Sequence, residues 1–241
     1  MTPSFFSIIP QKEMKNSKRC VILVKCCKEE GKMKLYLVRH GETDWNKERR
    51  IQGQADIPLN EFGRRLAKKT GEGLKDISFA VCFSSPLERA VETAKIILLG
   101  QDVPVITDNR IEEMAFGEWE GKCCSKEGWE LPERFQAFFN DPVHYEPAEG
   151  GENFLEVRTR TGMFLEWLKG QEQYADKNVL ITTHGAALSG MLNYIKGKPL
   201  SDYWGWGVHK NCAVTEVEAL DGKFQVISEN QVYYDDVVKP W

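Results

Sequence analysis

The chain has 241 residues, 41% of them hydrophobic and 28% charged, with 32 Lys and Arg against 36 Asp and Glu for a formal net charge of −4. This is globular composition, at a length that removes about 70–75% of the unfolded surface from water without a metal or disulfide staple. The acidic balance argues against a protein that coats nucleic acid, while leaving room for a small basic pocket that takes an anion.

Residues 1–32 mix Pro, Ser and Lys with one short apolar run, Val21-Ile22-Leu23-Val24, too short to span a bilayer, and nothing before it reads as an export signal. They are expected to be a non-catalytic N-terminal extension, with translation from Met33 preferred over an added strand or arm. Residues 33–241 are expected to form one domain. Leu35-Tyr36-Leu37-Val38 reads as a buried strand. Phe62, Leu66 and Leu74 mark one helix face, and with Asn60 as N-cap they predict a helix over 61–74. A second strand is expected over 79–83. Ser85-Pro86-Leu87-Glu88 then has the order of a capping box, with Ser as N-cap, opening a helix that runs to about residue 99 and stops at Gly100. Further strands are expected over 103–107 and 178–183, and helices over 154–169 and 186–195. A final strand pair, 214–220 and 224–228, turns at Asp221-Gly222. Residues 112–151 are loop-rich with helical pieces near 133–139, and read as a lid-like insertion over the sheet edge. The alternation predicts an α/β three-layer sandwich with a mostly parallel central sheet.

The seven cysteines form an odd set with no Cys-x-x-Cys, so neither a disulfide framework nor a zinc cluster is expected. Reduced thiols and the missing export signal lead to an expectation of the cytoplasm.

Only four histidines occur, and two share one context. Leu37-Val38-Arg39-His40-Gly41 and Ile181-Thr182-Thr183-His184-Gly185 each read as strand, His, then Gly at a turn. Ligands of a parallel α/β sheet sit at the carboxyl ends of its strands, so two imidazoles are expected along one rim. A third strand end leads through Ser84-Ser85-Pro86 into a helix carrying Arg89. Helix N–H groups there, with the planar forks of Arg39 and Arg89, suit phosphate oxygens. Other phosphoryl chemistries fail on spacing. There is no G-x-x-x-x-G-K-[ST] and no D-x-D-x-[TV], and Cys82 stands one position too far from Arg89 for a Cys-x5-Arg loop. Histidine remains as nucleophile, kept neutral by cationic neighbours. The proton for a leaving alkoxide needs a carboxylic acid, for which Glu112, Glu113, Glu118 and Glu120 are all candidates. His144 is read as standing off the substrate, and His209 with Cys212 as structural. Trp204-Gly205-Trp206 is read as a loop packed on the sheet edge.

Arg39-His40-Gly41-Glu42-Thr43-Asp44-Trp45-Asn46 resembles the signature of the histidine phosphatase superfamily, in its phosphoglycerate-mutase-like branch. The similarity continues through Gln52-Gly53-Gln54, Ser84-Ser85-Pro86-Leu87-Glu88-Arg89-Ala90, Glu113-Met114-Ala115-Phe116-Gly117-Glu118-Trp119-Glu120-Gly121, Gly150-Gly151-Glu152 and Thr183-His184-Gly185, in the family's order. The resemblance implies His40 as the phosphorylated nucleophile, with Arg39, Arg89 and His184 on the phosphoryl group and Glu113 as acid/base. It places Gly41, Thr43, Asn46, Gln52 and Gly185 around the phosphate or substrate. It implies a small phosphorylated metabolite as partner, no nucleic acid or membrane, and no metal or cofactor. Phe116-Gly117-Glu118-Trp119-Glu120-Gly121 is similar to the phosphatase side of the branch, including α-ribazole phosphatases, and lacks the mutases' Tyr-Gly and Leu-Asn-Lys pattern. Two alternatives stand beside a metal-independent phosphomonoesterase. One is a 2,3-bisphosphoglycerate-dependent phosphoglycerate mutase. The other is a phospho-ligand-binding protein, against which the intact set of His40, Glu113 and His184 speaks. Cys123-Cys124 and the aromatic stretch 129–139 have no counterpart in the resemblance and are expected to line the lid, where substrate choice would lie.

Overall fold

The computed structural model describes residues 31–238; the expectations for residues 1–30 lie outside them. Strand β1, Met33–Arg39, is apolar from Leu35 to Val38 and buried there on both faces, as a central strand must be. Strands β2 (Phe79–Ser84), β3 (Val105–Thr107) and β4 (Asn178–Thr183) run parallel with it; β5 (Val214–Leu220) runs antiparallel to β1, and β6 (Lys223–Gln231) antiparallel to β5. The six-stranded order is β3-β2-β4-β1-β5-β6. Arg39 pairs with Thr183, and Ser84 with Thr182, so three strands end level. That register is what sets His40, Ser85 and His184 along one rim.

Alternation along β1 sends Leu35 and Leu37 to one face, and Tyr36 and Val38 to the other. The first face packs under helices α5 (Phe154–Lys169) and α6 (Gly185–Ile195) through Phe164, Leu165, Leu168, Leu188 and Met191. The second packs under α2 (Glu61–Gly73) and α3 (Glu88–Ile97) through Leu74, Ala94 and Ile97. Three layers result, as the alternation of elements predicts. Truncating Leu35 or Leu37 to alanine removes contacts worth about 2–5 kcal/mol each.

The expected helices over 154–169 and 186–195 and the strand over 178–183 are found to within a residue. Asn60 caps α2 by accepting from the Gly63 N–H at 2.8 Å. The Ser85 capping box is not formed. The helix begins at Glu88 after Leu87, with no side-chain cap of its own; Ser85 Oγ lies 2.7 Å from His184 Nε2 and accepts from the Leu87 N–H, at 3.3 Å, short of the capping-box position. The Glu88 N–H is satisfied instead by Asp56 Oδ1 at 2.7 Å, from a loop 32 residues away. β3 starts two residues later than expected, after Pro104, which has no N–H to give a ladder. β6 runs to Gln231, and its turn with β5 uses Asp221 and Gly222, both at positive φ.

Residues 112–151 contain two 3-10 turns, Gly117–Trp119 and Glu133–Gln136, and a short helix, Ala137–Asn140. They build an aromatic cluster of Phe116, Trp119, Phe135, Phe138 and Tyr145 that docks on Phe154 and Tyr203. Among the described residues no helix is long and apolar enough to cross a membrane.

Gly63 sits in α2 where an alanine would ordinarily gain up to ~1 kcal/mol. Here a Cβ would fall on the backbone N and O of Glu42. Gly63→Ala is therefore expected to lose about 1–3 kcal/mol, seen as a lower denaturant midpoint, and to disturb the turn just after His40.

Candidate active site

His40 leaves the end of β1 with its N–H donating to Thr183 O at 2.9 Å, which continues the ladder by one residue. Its Nδ1 lies 2.6 Å from Gly41 O. A carbonyl only accepts, so Nδ1 carries the proton and Nε2 keeps its lone pair. Gly41 is required by close approach, since a Cβ there would stand 2.8 Å from the backbone oxygen of Gly63. Asn211 Nδ2 donates to His40 O at 2.9 Å from the far end of the chain. His184, at the N-cap position of α6, puts its ring centroid 5.1 Å from that of His40. Burial, then the Arg89 and Arg39 charges, holds His40 well below the usual imidazole range. Burial and Arg89 do the same for His184.

The two arginines are buried at 4% and 0% exposure, and each spends part of its fork on the protein. Arg39 Nη1 donates to His209 O at 2.6 Å. Arg89 donates to Gly53 O at 2.6 Å and Ala55 O at 2.8 Å, fixing the loop after α1 (Asp44–Lys47). Burial lowers both guanidiniums to about 10, which leaves them charged at neutral pH. Each retains a buried Nε–H with no partner among the described residues. Asn46 adds a third such donor: its Oδ1 accepts from the Thr43 N–H, and its Nδ2 is unpartnered. Three buried unpartnered donors in one site suit an anion, whose oxygens accept.

Of the four candidate carboxylates, Glu113 alone shares the cavity with Arg39, His40 and Arg89. Its oxygens accept from the N–H groups of Met114 (3.0 Å), Ala186 (3.2 Å) and Ala187 (3.0 Å), the last two being the first turn of α6. Glu120 instead holds the N–H groups of Gln54 and Phe116.

Arg39, His40, Asn46, Gln52, Arg89, Glu113 and Gly185 line one cavity. Gly41, Thr43 and His184 stand behind it. Gly41 N–H is bound by Thr93 Oγ1, and Thr43 Oγ1 donates to Gln52 Oε1 at 3.0 Å, turning the Gln52 amide. The opposite wall is apolar, formed by Ile51, Phe116, Phe138, Phe139, Trp204 and Val208. Trp204 thus corrects the reading of its loop as sheet-edge packing. Its Nε1 donates to Phe138 O at 2.7 Å, which joins the 112–151 stretch to the loop before β5, while Trp206 stays exposed. Cys123 and Cys124 do not line the cavity; their sulfurs face the carbonyls of Glu48 and Arg49. His144 is exposed and paired with Asp141. His209 is buried behind Arg39, and Cys82 sits within β2 with burial pushing its thiol up to about 12. Ser85 and Asn211, which touch the two imidazole-bearing segments, carry no signal in the sequence beyond their neighbourhood.

Burial also drives His209 down, to about 4. Three imidazoles are therefore neutral when folded and free to protonate when unfolded. The unfolded state binds more protons below its pKa near 6.5, so stability falls as pH drops through that value towards the depressed folded pKa values. By pH 5 the His209 ring is expected to cost on the order of 2 kcal/mol, with His40 and His184 acting in the same direction. Denaturant titrations at pH 7 and pH 5 check this, and an unchanged midpoint would contradict it.

An α/β sandwich that sets two buried imidazoles and two buried guanidiniums at level strand ends has phosphoglycerate-mutase-like architecture. Residues 35–232 match the histidine phosphatase superfamily (branch 1), and the chain belongs to that family. An uncharacterized phosphatase, PhoE, of Bacillus subtilis is 38% identical over 161 residues, covering 67% of this chain and 76% of its own. Phosphoserine phosphatase 1 of Hydrogenobacter thermophilus is 33% identical over 175 residues, covering 73% and 82%. The solved structure of Bacillus stearothermophilus YhfR superposes with a TM-score of 0.77 at 36% identity, covering 83% of this chain and 98% of that one. The chain is a histidine phosphatase.

Proposed function

We propose that the protein hydrolyses small phosphomonoesters without a metal, through a phosphohistidine on His40, in the cytoplasm. The observation that carries this reading is the set of three unpartnered buried donors, Arg39 Nε, Arg89 Nε and Asn46 Nδ2, beside an imidazole whose Nε2 lone pair is free. A phosphoryl group offers acceptor oxygens only. Once the oxygens are held by these donors, Nε2 attacks phosphorus and the P–O bond to the alcohol breaks. The departing oxygen takes a proton from Glu113. Water then attacks the phosphohistidine, giving its proton to Glu113 and releasing inorganic phosphate, and His40 is regenerated. His184, neutral and adjacent, supports the same oxygens.

The apolar wall favours the phosphatase over the mutase. A phosphoglycerate carries a carboxylate besides its phosphate, and Arg39 and Arg89, at the phosphoryl end, are the cations lining this cavity. Phe116, Phe138, Phe139 and Trp204 instead suit an apolar or aromatic alcohol, with residues 112–151 acting as the lid. The four cysteines among the described residues are free, in keeping with a reducing compartment.

The test is an assay in EDTA on an aryl phosphate and on 3-phosphoglycerate. Phosphate release from the aryl ester in chelator is the expected result. Isomerisation of 3-phosphoglycerate without net phosphate release would move the protein to the mutases. No turnover of either by folded protein would leave a phospho-ligand-binding role.

A further inference from the structure

Residues 112–115 belong to no helix or strand, so their backbone groups must find partners elsewhere. Arg160, in α5, takes two of their carbonyls and one just before them. Its Nη1 donates to Arg110 O at 3.0 Å and Glu112 O at 2.8 Å, and its Nη2 to Glu113 O at 2.9 Å. The remaining edge of the fork, Nε and Nη2, grips Glu152 at 2.7 and 2.8 Å. Glu152 closes the loop by accepting from the Ala115 N–H at 2.9 Å, while its own N–H donates to Ala115 O at 2.8 Å. One planar cation thus holds three successive stretches of an irregular segment, and its charge is matched by one carboxylate. A lysine, with three N–H groups on one nitrogen, has no such fork and could not make all five bonds.

We propose that the Arg160–Glu152 pair is a positioning clamp for Glu113, setting where the proton donor of the reaction stands. The clamp rests on the reading of Glu113 as general acid. Neither Arg160 nor Glu152 lines the cavity, so neither touches substrate. The clamp acts on the backbone of Glu113, while the carboxylate is aimed separately by the N–H groups of Ala186 and Ala187. Both anchors are needed because a proton must pass over hydrogen-bond distance, and about 1 Å of misplacement can cost about a hundredfold.

A structural role alone would lower activity on every substrate alike; a role in proton delivery would not. The measurement is kcat/KM on p-nitrophenyl phosphate, whose phenolate leaves without a proton, and on an alkyl phosphate, whose alkoxide cannot. The readout is the alkyl-to-aryl ratio from one sample, in which any unfolded fraction cancels. E113Q is expected to lower the ratio by about a hundredfold or more. R160K, R160Q and E152Q are expected to lower it by about ten- to a hundredfold, and E113Q/R160Q no further than E113Q alone. An unchanged ratio in the Arg160 and Glu152 variants, beside a lowered one in E113Q, would overturn the clamp. An unchanged ratio in E113Q would remove the acid itself, and the clamp with it. R160K and E152Q carry the test should R160Q fail to fold.

Discussion

His40→Ala is expected to lower turnover by at least about four orders of magnitude, the scale on which removing an enzyme's nucleophile acts. The same variant should yield no acid-labile phosphate label, while the wild type does. Binding should survive. The donors of Arg39, Arg89 and Asn46 are not supplied by the imidazole, and the His40 carbonyl that Asn211 holds is backbone. Vanadate or inorganic phosphate should therefore still protect His40→Ala against thermal unfolding. The split between chemistry lost and anion binding kept is the signature of a nucleophile. Turnover within tenfold of wild type would assign the attack to another group.

Arg89→Ala is expected to cost about 3–4 kcal/mol in the barrier, the loss of a charge-stabilising donor at a developing phosphoryl charge. Arg89→Lys should recover little of it. An ammonium gathers its donors on one nitrogen and lacks the spread by which the guanidinium holds Gly53 O and Ala55 O on two nitrogens and keeps a third unpartnered. The pH profile should change as well. Arg89 is the leading charge that disfavours protonation of both His40 and His184, after burial. With a neutral residue there, His40 protonates at higher pH, and the acid limb of kcat/KM moves towards neutrality. Hydrogen exchange should quicken across the Gly53–Ala55 loop. An acid limb that stays in place would mean that burial alone keeps the imidazole neutral.

Much of the fold was legible because its signals are local. α2, α5 and β4 each declare themselves by periodicity within a dozen or so residues, and the buried run of β1 does so within seven. The meeting of His40 and His184 was legible for a related reason: each follows a strand, and parallel strands share a rim. What failed was non-local. Ser85 has the spacing of a helix cap, but the helix starts two residues later than that spacing requires, and the hydroxyl also meets a histidine 99 residues away. Periodicity could not choose Glu113 from its neighbours, because the groups that hold it stand 47, 73 and 74 residues further on. Trp204 looked like packing since nothing nearby in sequence shows that it meets Phe138, 66 residues away, to form the apolar wall of the cavity. Where pattern reading left four carboxylates open, the match of sequence blocks pointed to the one that lines the cavity.

Sequence separation has a consequence for folding. The bond that turns Arg39 to His209 spans 170 residues, and the one from Asn211 to the His40 carbonyl spans 171. Contacts of that separation form late, after the loop-closure entropy of the intervening chain has been overcome. A chain synthesised N-terminus first carries Arg39 and His40 long before β5 and the loop before it exist to orient them. Activity resting on these residues is therefore expected only once the whole sheet has closed, and recovered activity during refolding should lag recovered helix signal. The catalytic rim doubles as a checkpoint on the completeness of the molecule.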